Sequence, residues 1–222
     1  MKARLPVIIA ALLLGMFAVI GSALVSFTYL STADIIAENE RQAILKKLYK
    51  LVPAESINND IVSDTVRVSA PELLGAPETT VYLGRKDGEP VAAVFNTISP
   101  DGYSGPIVML VAVMVDGSLG GVRIVSHRET PGLGDKVEEQ KSDWVLQFDD
   151  KSLSNPARDK WKVKRDGGYF DQFTGATITP RTIVKAVKNT LLYYEKYGAA
   201  LFEQNKAATG EHMAETAQDK SS

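Results

Sequence analysis

The residues of this chain with the clearest chemical potential are three threonines and two small residues in one short stretch: Thr174, Gly175, Ala176, Thr177 and Thr179. Small residues let a backbone bend sharply and leave neighbouring hydroxyls accessible to a large reagent. The stretch from Asp171 to Pro180 contains nothing that resembles acid–base machinery. It therefore predicts a sharp turn with outward-facing hydroxyls and no catalytic residue.

A helix is predicted directly after this turn. Thr179 is a suitable N-cap, and Pro180 has the fixed φ that is preferred at the first helical position. Apolar residues then recur at helical spacing over Arg181 to Tyr197: Ile183, Val184, Val187, Leu191 and Tyr194. The unpaired N–H groups and the dipole of a helix N-terminus would suit a phosphate group beside the turn.

Other candidate chemistry is weak. His127 and His212 are the only histidines, and two isolated histidines do not make a metal site. The chain has no cysteine, which excludes disulfides and cysteine-ligated clusters within it. Carboxylates such as Asp143 show no paired spacing, so neither catalytic nor metal-binding residues are predicted. If the protein transfers electrons, a bound group must carry them.

Thr174-Gly175-Ala176-Thr177 resembles the S/T-G-A-T motif of the FMN-binding domain family, in which flavin mononucleotide is esterified through its phosphate to the last threonine. That residue is Thr177 here. Asp171 matches the acidic residue three places before the motif. Two further stretches, Asp101–Ile107 and Glu129–Lys136, are also similar to the family. In this order behind one N-terminal membrane segment, they resemble the G-subunit family of Rnf (Rsx) electron transport complexes.

The resemblance implies a set of cofactor contacts. Those near the attachment point are Asp171, Thr174, Gly175, Ala176, Thr177 and Thr179. Those toward the isoalloxazine ring are Tyr103, Ser104, Glu129, Thr130, Gly132 and Leu133. Pro131 and the glycines beside it would let the loop turn tightly against a flat ring. Two alternatives stay open: Glu129 faces water in an ordinary hairpin loop, or Tyr103 only covers the edge of the core.

Length and charge bound the classes of function. A chain of 222 residues suits one soluble domain with an appendage. Its 25 basic and 27 acidic residues give a formal net charge of −2, and the basic residues are scattered. No basic stripe is present, so nucleic-acid binding is disfavoured.

Residues 6–30 carry no charge, and they are long enough to span a bilayer, which needs about 20 apolar residues. Lys2 and Arg4 precede the segment, while acidic residues such as Glu38 follow it, so residues 1–5 should stay in the cytoplasm. We expect a single-pass anchor in the bacterial inner membrane with the domain on the periplasmic side. A cleaved signal peptide is the alternative, but its apolar core would be shorter.

The remaining chain predicts an α+β fold, in which a transmembrane helix precedes a domain made of an antiparallel sheet and flanking helices. The resemblance implies that this domain is an FMN-binding domain. Residues 31–60 form a helical connector, residues 61–203 the domain, and residues 204–222 a disordered tail. Alternating and β-branched runs predict strands over Ile61–Ala70, Thr79–Arg85, Pro90–Thr97, Ile107–Val115 and Val122–Ser126. The turn Lys86–Glu89 predicts a hairpin.

The resemblance further implies a function and partners. The chain would be an electron-transfer subunit of a translocase that couples electron flow of the ferredoxin/NAD type to ion transport. It would assemble with other membrane and iron–sulfur subunits, and a separate flavin transferase would attach its covalent FMN. Alternatives are the C subunit of a sodium-translocating NADH:quinone oxidoreductase and a flavin-free membrane scaffold in which Thr177 is only a cap residue.

Overall fold

The computed structural model describes the backbone of residues 4–219, and the side chains of that range other than those of residues 4–7, 11, 34, 40 and 204–219. The chain forms two compact units, of which one ends at Ile44 and the other begins at Leu45. The predicted cytoplasmic segment 1–5 lies largely outside the described residues. Its boundary, like the other predicted domain boundaries, remains a prediction.

Helix α1 (Arg4–Leu48) is 45 residues long. Its apolar side chains are exposed along the predicted span, as at Leu14 and Leu30. Among the described residues it is the one helix that is long and apolar enough to cross a membrane. The predicted N-terminal apolar helix is therefore confirmed. It continues without a break through most of the predicted connector, because no proline or glycine interrupts residues 22–48.

The second unit is built on a five-stranded antiparallel sheet in which the strands pair in chain order. The strands are β1 (Thr65–Val68), β2 (Thr79–Lys86), β3 (Glu89–Ser99), β4 (Ile107–Met114) and β5 (Leu119–Ser126). Asp87 and Gly88 turn β2 into β3 with φ angles of 54° and 84°, which confirms the predicted hairpin. Strand β5 begins three residues before the predicted Val122, after a turn whose Gly117 has a positive φ.

Two helices flank this sheet: α2 (Pro71–Leu74) and α3 (Ile178–Asp219). Residues Met109–Val113 of β4 are all buried, which indicates that both faces of this inner strand are covered. Ile183 and Val187 of α3 belong to the same core cluster. A buried hydrogen bond of 3.0 Å between the hydroxyls of Thr97 and Thr190 joins β3 to α3. The packing of α3 against the sheet therefore fixes where the first turn of α3 lies.

Between β5 and α3, residues 127–177 contain no helix or strand longer than a few residues, only short 3₁₀ turns. Aromatic side chains hold this region together. The ring centroids of Phe148 and Phe170 are 4.7 Å apart, and those of Trp144 and Phe173 are 5.3 Å apart. The turn Asp143–Phe148 contacts β5. The residues that lead to Thr177 are therefore positioned by side-chain packing and not by the backbone hydrogen bonds of a sheet.

The backbone of α3 runs to Asp219, whereas the sequence predicts a disordered tail over residues 204–222. The side chains of that tail lie outside the described residues, and its disorder stays a prediction.

Candidate functional site

A tight turn presents Thr177. The carbonyl oxygen of Phe173 accepts a hydrogen bond of 3.2 Å from the amide of Ala176, and Gly175 between them has a φ of 84°, which glycine adopts without strain. Phe173 is buried against Trp144, whose indole N–H donates to the carbonyl oxygen of Asp171 at 2.7 Å. The start of the turn is therefore fixed from both its backbone and its side chain.

Helix α3 begins at Ile178, earlier than the sequence predicts. The carbonyl oxygen of Thr177 accepts the amide of Arg181 at 3.3 Å, so Thr177 occupies the N-cap position. The prediction that Thr179 caps the helix is wrong, because its fully buried hydroxyl donates to Oε2 of Glu129 at 2.6 Å. Pro180 lies in the first turn, where its missing N–H leaves no helical hydrogen bond unmade.

A cavity of about 390 Å³ lies beside Thr177. Its lining includes most of the predicted contacts: Tyr103, Glu129, Thr130, Leu133, Gly175, Ala176 and Thr177. Three further residues complete it: Gly134, Arg165 and Ile178. The volume falls in the range of small-molecule sites, about 300–1,000 Å³. The fold thus brings four separate stretches of chain to one cavity.

Glu129 is buried, with 5% of its surface exposed, so the alternative in which it faces water is wrong. Its Oε1 accepts the amide of Ser104 at 3.1 Å, and its Oε2 accepts the hydroxyl of Thr179. Ser104 therefore reaches the site through its backbone, although it does not line the cavity.

His127 anchors the start of the loop that carries Glu129. Its Nδ1 accepts the backbone amide of Glu129 at 3.0 Å, and its Nε2 lies 2.7 Å from Oε1 of Glu138. This geometry assigns the neutral tautomer with the proton on Nε2, which donates to Glu138. His127 acts as a structural residue of the loop.

Like Ser104 and the buried Thr179, three further predicted contacts do not line the cavity: Asp171, Thr174 and Gly132. The carboxylate of Asp171 pairs with Nζ of Lys164 at 2.5 Å, Thr174 is exposed on the turn, and Gly132 supplies a φ of 79° in its loop. Lys185 of α3 lies 3.5 Å from Asp101 and lines a different cavity.

Arg165 is the single cation among the described residues that line the cavity, and no local pattern in the sequence marks it. It lies in the 3₁₀ turn Lys164–Asp166. Asp166 beside it receives two hydrogen bonds from Arg181, of 2.6 and 2.9 Å, and the side-chain hydrogen bond from Arg181 lowers the pKa of Asp166. This pair ties the Arg165 turn to the first turn of α3.

The lining fits a flavin mononucleotide. Tyr103, Leu133 and Ile178 are 69%, 44% and 44% exposed, so they offer apolar surface to a flat ring. The half-buried Thr177 receives and makes no side-chain hydrogen bond among the described residues. It stands at a helix N-terminus, and Arg165 lines the same cavity, which suits a phosphate.

Comparison with known proteins agrees with this geometry. The model of the FMN-binding domain family matches residues 102–192, which include every residue that lines the cavity. The model of the RnfG N-terminal region matches residues 1–51. The second match favours the Rnf family over the C subunit of a sodium-translocating NADH:quinone oxidoreductase.

Curated relatives extend over nearly the whole chain. A protein of Shewanella amazonensis is 47% identical over 87% of this chain and 90% of its own length. One of Pseudoalteromonas atlantica is 46% identical over 86% and 89%, and one of Vibrio cholerae 40% identical over 90% and 96%. Each is named as the G subunit of an ion-translocating oxidoreductase complex. With its FMN-binding domain behind an apolar helix, this chain belongs to the G-subunit family of ion-translocating oxidoreductase complexes.

Proposed function

We propose that the protein is the flavin-carrying electron-transfer subunit of an ion-translocating oxidoreductase complex, with FMN bound covalently to Thr177. The observation that carries this proposal is the cavity at the N-terminus of α3, whose lining includes Thr177, apolar side chains and one cation. Bound FMN would supply reversible electron transfer, because its ring system can take up and release electrons. The chain itself holds, orients and partly covers that ring.

Thr177 is the best candidate among the three threonines of the turn. Thr179 is fully buried and its hydroxyl donates to Glu129, so it is not open to a reagent. Thr174 is exposed but does not line the cavity. Thr177 alone of the three is half-buried, lines the cavity and keeps its hydroxyl free of side-chain partners among the described residues.

The attachment step needs a separate Mg-dependent flavin transferase that uses FAD. The Thr177 oxygen attacks the phosphorus of the FMN half, the pyrophosphate bond of FAD breaks, AMP leaves, and the hydroxyl proton is released. The product is a phosphoester, and the protein gains the mass of FMN minus water. The remaining negative charge would be stabilised by the amides of the first turn of α3 and by Arg165.

Covalent attachment has a physical purpose outside the cytoplasm, where a dissociated mononucleotide would be lost. We propose that α1 is a single-pass anchor in the bacterial inner membrane and that the flavin domain lies on the periplasmic side. The other membrane and iron–sulfur subunits of the complex would exchange electrons with this flavin. Electron flow of the ferredoxin/NAD type would then be coupled to ion transport by the whole assembly.

The experiment is intact-mass measurement of the full-length protein expressed with a flavin transferase, for the wild type, Thr177→Ala and Thr177→Ser. The wild type should gain FMN minus water, Thr177→Ala should gain nothing, and Thr177→Ser should still be modified because its hydroxyl remains. Trypsin releases residues 166–181 as one peptide that contains all three threonines, so fragment ions assign the modified residue.

A colourless wild type in the presence of an active transferase would refute the proposal. In that case the second candidate, a flavin-free scaffold in which Thr177 only caps α3, would take its place.

A further inference from the structure

We propose that Glu129 is a positioning residue that holds the cavity together around Thr177. Together with Ser104 and Thr179 it forms what we call the Glu129 clamp. The clamp itself follows from the contacts of the protein alone, and its effect on a bound flavin rests on the proposed function.

The two carboxylate oxygens of Glu129 bind two distant parts of the chain. Oε1 accepts the amide of Ser104, in the loop between β3 and β4, at 3.1 Å. Oε2 accepts the hydroxyl of Thr179, in the first turn of α3, at 2.6 Å. Hydrogen bonds to a charged acceptor are stronger than those between neutral groups. Glu129, in the loop after β5, thus joins that loop to the β3–β4 loop and to the first turn of α3, and all three contribute residues to the cavity lining.

Two glycines make room for this carboxylate. A Cβ atom at Gly134 would lie 2.7 Å from Oε2 of Glu129 and 3.2 Å from the hydroxyl of Thr179. A Cβ atom at Gly102 would lie 3.0 Å from Oε1 of Glu129 and 2.2 Å from the carbonyl oxygen of Gly105. The clamp is therefore closely packed on both sides, and a side chain at either glycine would displace it.

Glu129 forms no ion pair among the described residues, and its two carboxylate oxygens accept from uncharged donors, the Ser104 amide and the Thr179 hydroxyl. A buried carboxylate without a counter-ion is costly unless its oxygens accept hydrogen bonds, and the two donors of the clamp meet that need. Loss of either donor should consequently loosen the other. Ser104 and Thr179 are thus coupled through Glu129, although they belong to different elements.

The first test uses amide hydrogen exchange on the full-length protein without flavin. Thr179→Val keeps the shape of the side chain but removes the donor to Oε2, so the Glu129 carboxylate loses one of the two hydrogen bonds that hold it in place. The hydrogen bond from the Ser104 amide to Oε1 should then open more often, and this amide should exchange about tenfold faster. Thr179→Ser keeps the donor and should match the wild type. Glu78→Gln removes an exposed carboxylate outside the clamp and should also leave Ser104 unchanged. Unaltered exchange at Ser104 in Thr179→Val would refute the clamp.

The second test uses the flavin-loaded protein. Glu129→Gln can accept only one of the two hydrogen bonds, because its amide nitrogen is a donor. Glu129→Gln and Thr179→Val should still carry FMN by intact mass. Iodide should quench their flavin fluorescence at least about twofold more strongly, because the loosened cavity opens to solvent. Their midpoint potentials should also move toward that of free FMN, whereas Thr179→Ser should retain both wild-type values.

The two tests separate the possible failures. Loaded Thr179→Val that matches the wild type in quenching and in potential would refute the positioning role. A wild type that carries no flavin would instead refute the proposed function, and exchange at the Ser104 amide would then decide the clamp by itself.

Discussion

Thr177 differs from the neighbouring threonines in what its hydroxyl can do. Thr179 is used internally by Glu129, and Thr174 stands on the outside of the turn. Only Thr177 combines access, a helix N-terminus and a cavity. The selectivity expected of a transferase for one hydroxyl thus has a basis in the folded protein, in addition to the residues of the motif.

Gly134 should tolerate no side chain. Gly134→Ala places a Cβ atom 2.7 Å from Oε2 of Glu129 and 2.9 Å from its Cβ, so the variant should lose about 1–3 kcal/mol in its free energy of unfolding. Chemical denaturation measures the loss. Gly88→Ala is the contrast, because its Cβ would meet nothing within 4 Å and its cost comes only from the positive φ of 84°. A Gly134→Ala protein with wild-type stability would contradict the contacts described for Glu129.

Arg165 should tune the bound flavin. Arg165→Gln removes a positive charge from the cavity lining. Loss of this charge should disfavour the reduced flavin, because the reduced form is more negatively charged than the oxidised form. The midpoint potential should fall by a value on the order of 20 mV, as expected for one partly solvated charge. Lys164→Gln removes the same charge from a neighbouring residue that does not line the cavity, and it should change the potential less. An unchanged or raised potential in Arg165→Gln would contradict this role.

The Thr177 turn was predictable from the sequence because a motif of adjacent residues defines it. The partner of Thr179 was not, since a cap and a buried hydrogen bond use the same hydroxyl and only the fold brings Glu129 within 2.6 Å. Arg165 was missed because nothing in the neighbouring sequence marks it as a cavity residue. Its turn is tied to α3 by the pair of Asp166 and Arg181, which only the fold brings together.

The Asp166–Arg181 pair joins two elements, and it should make stability depend on pH in the acid range. The hydrogen bond from Arg181 lowers the pKa of Asp166 in the folded protein. A lowered folded-state pKa contributes stability above the unfolded-state pKa of about 3.9, and this contribution is lost as the pH falls through the folded value.

Asp166→Asn should therefore be less stable than the wild type above about pH 5, and the difference should shrink as the pH falls below about 4. Denaturant midpoints measured from about pH 2 to pH 6 would check this. Asp159→Asn, which removes another exposed carboxylate of the same region, serves as the control. If the stability difference between the wild type and Asp166→Asn grew toward low pH, the lowered pKa assigned to Asp166 would be contradicted.

The strands were predictable because β-branched residues alternate along them and Asp87-Gly88 marks their hairpin. The region of residues 127–177 was not. Its order comes from aromatic contacts such as that of Phe148 with Phe170, which leave no periodic pattern in the sequence. The start of α3 at Ile178 was also missed, because Pro180 is compatible with several positions in the first turn of a helix.

The predicted membrane orientation of the entire protein can be tested with single thiols, since the chain has no cysteine. Glu78→Cys places a thiol on an exposed side chain of the second unit, and Ala3→Cys places one before α1 without removing a positive charge. In intact spheroplasts a membrane-impermeant maleimide should label Glu78→Cys, and it should label Ala3→Cys only after lysis. The reverse pattern would place the flavin domain in the cytoplasm.

The position of Trp144 should allow flavin attachment to be followed by tryptophan fluorescence. The chain has two tryptophans, and both lie in the aromatic region that leads to Thr177. Trp144 contacts Phe173 at the start of the turn. Flavins absorb at the wavelengths where tryptophan emits, so excitation energy should pass from these indoles to a nearby ring. The intensity of tryptophan fluorescence should therefore fall as FMN becomes attached, and it should not change in Thr177→Ala.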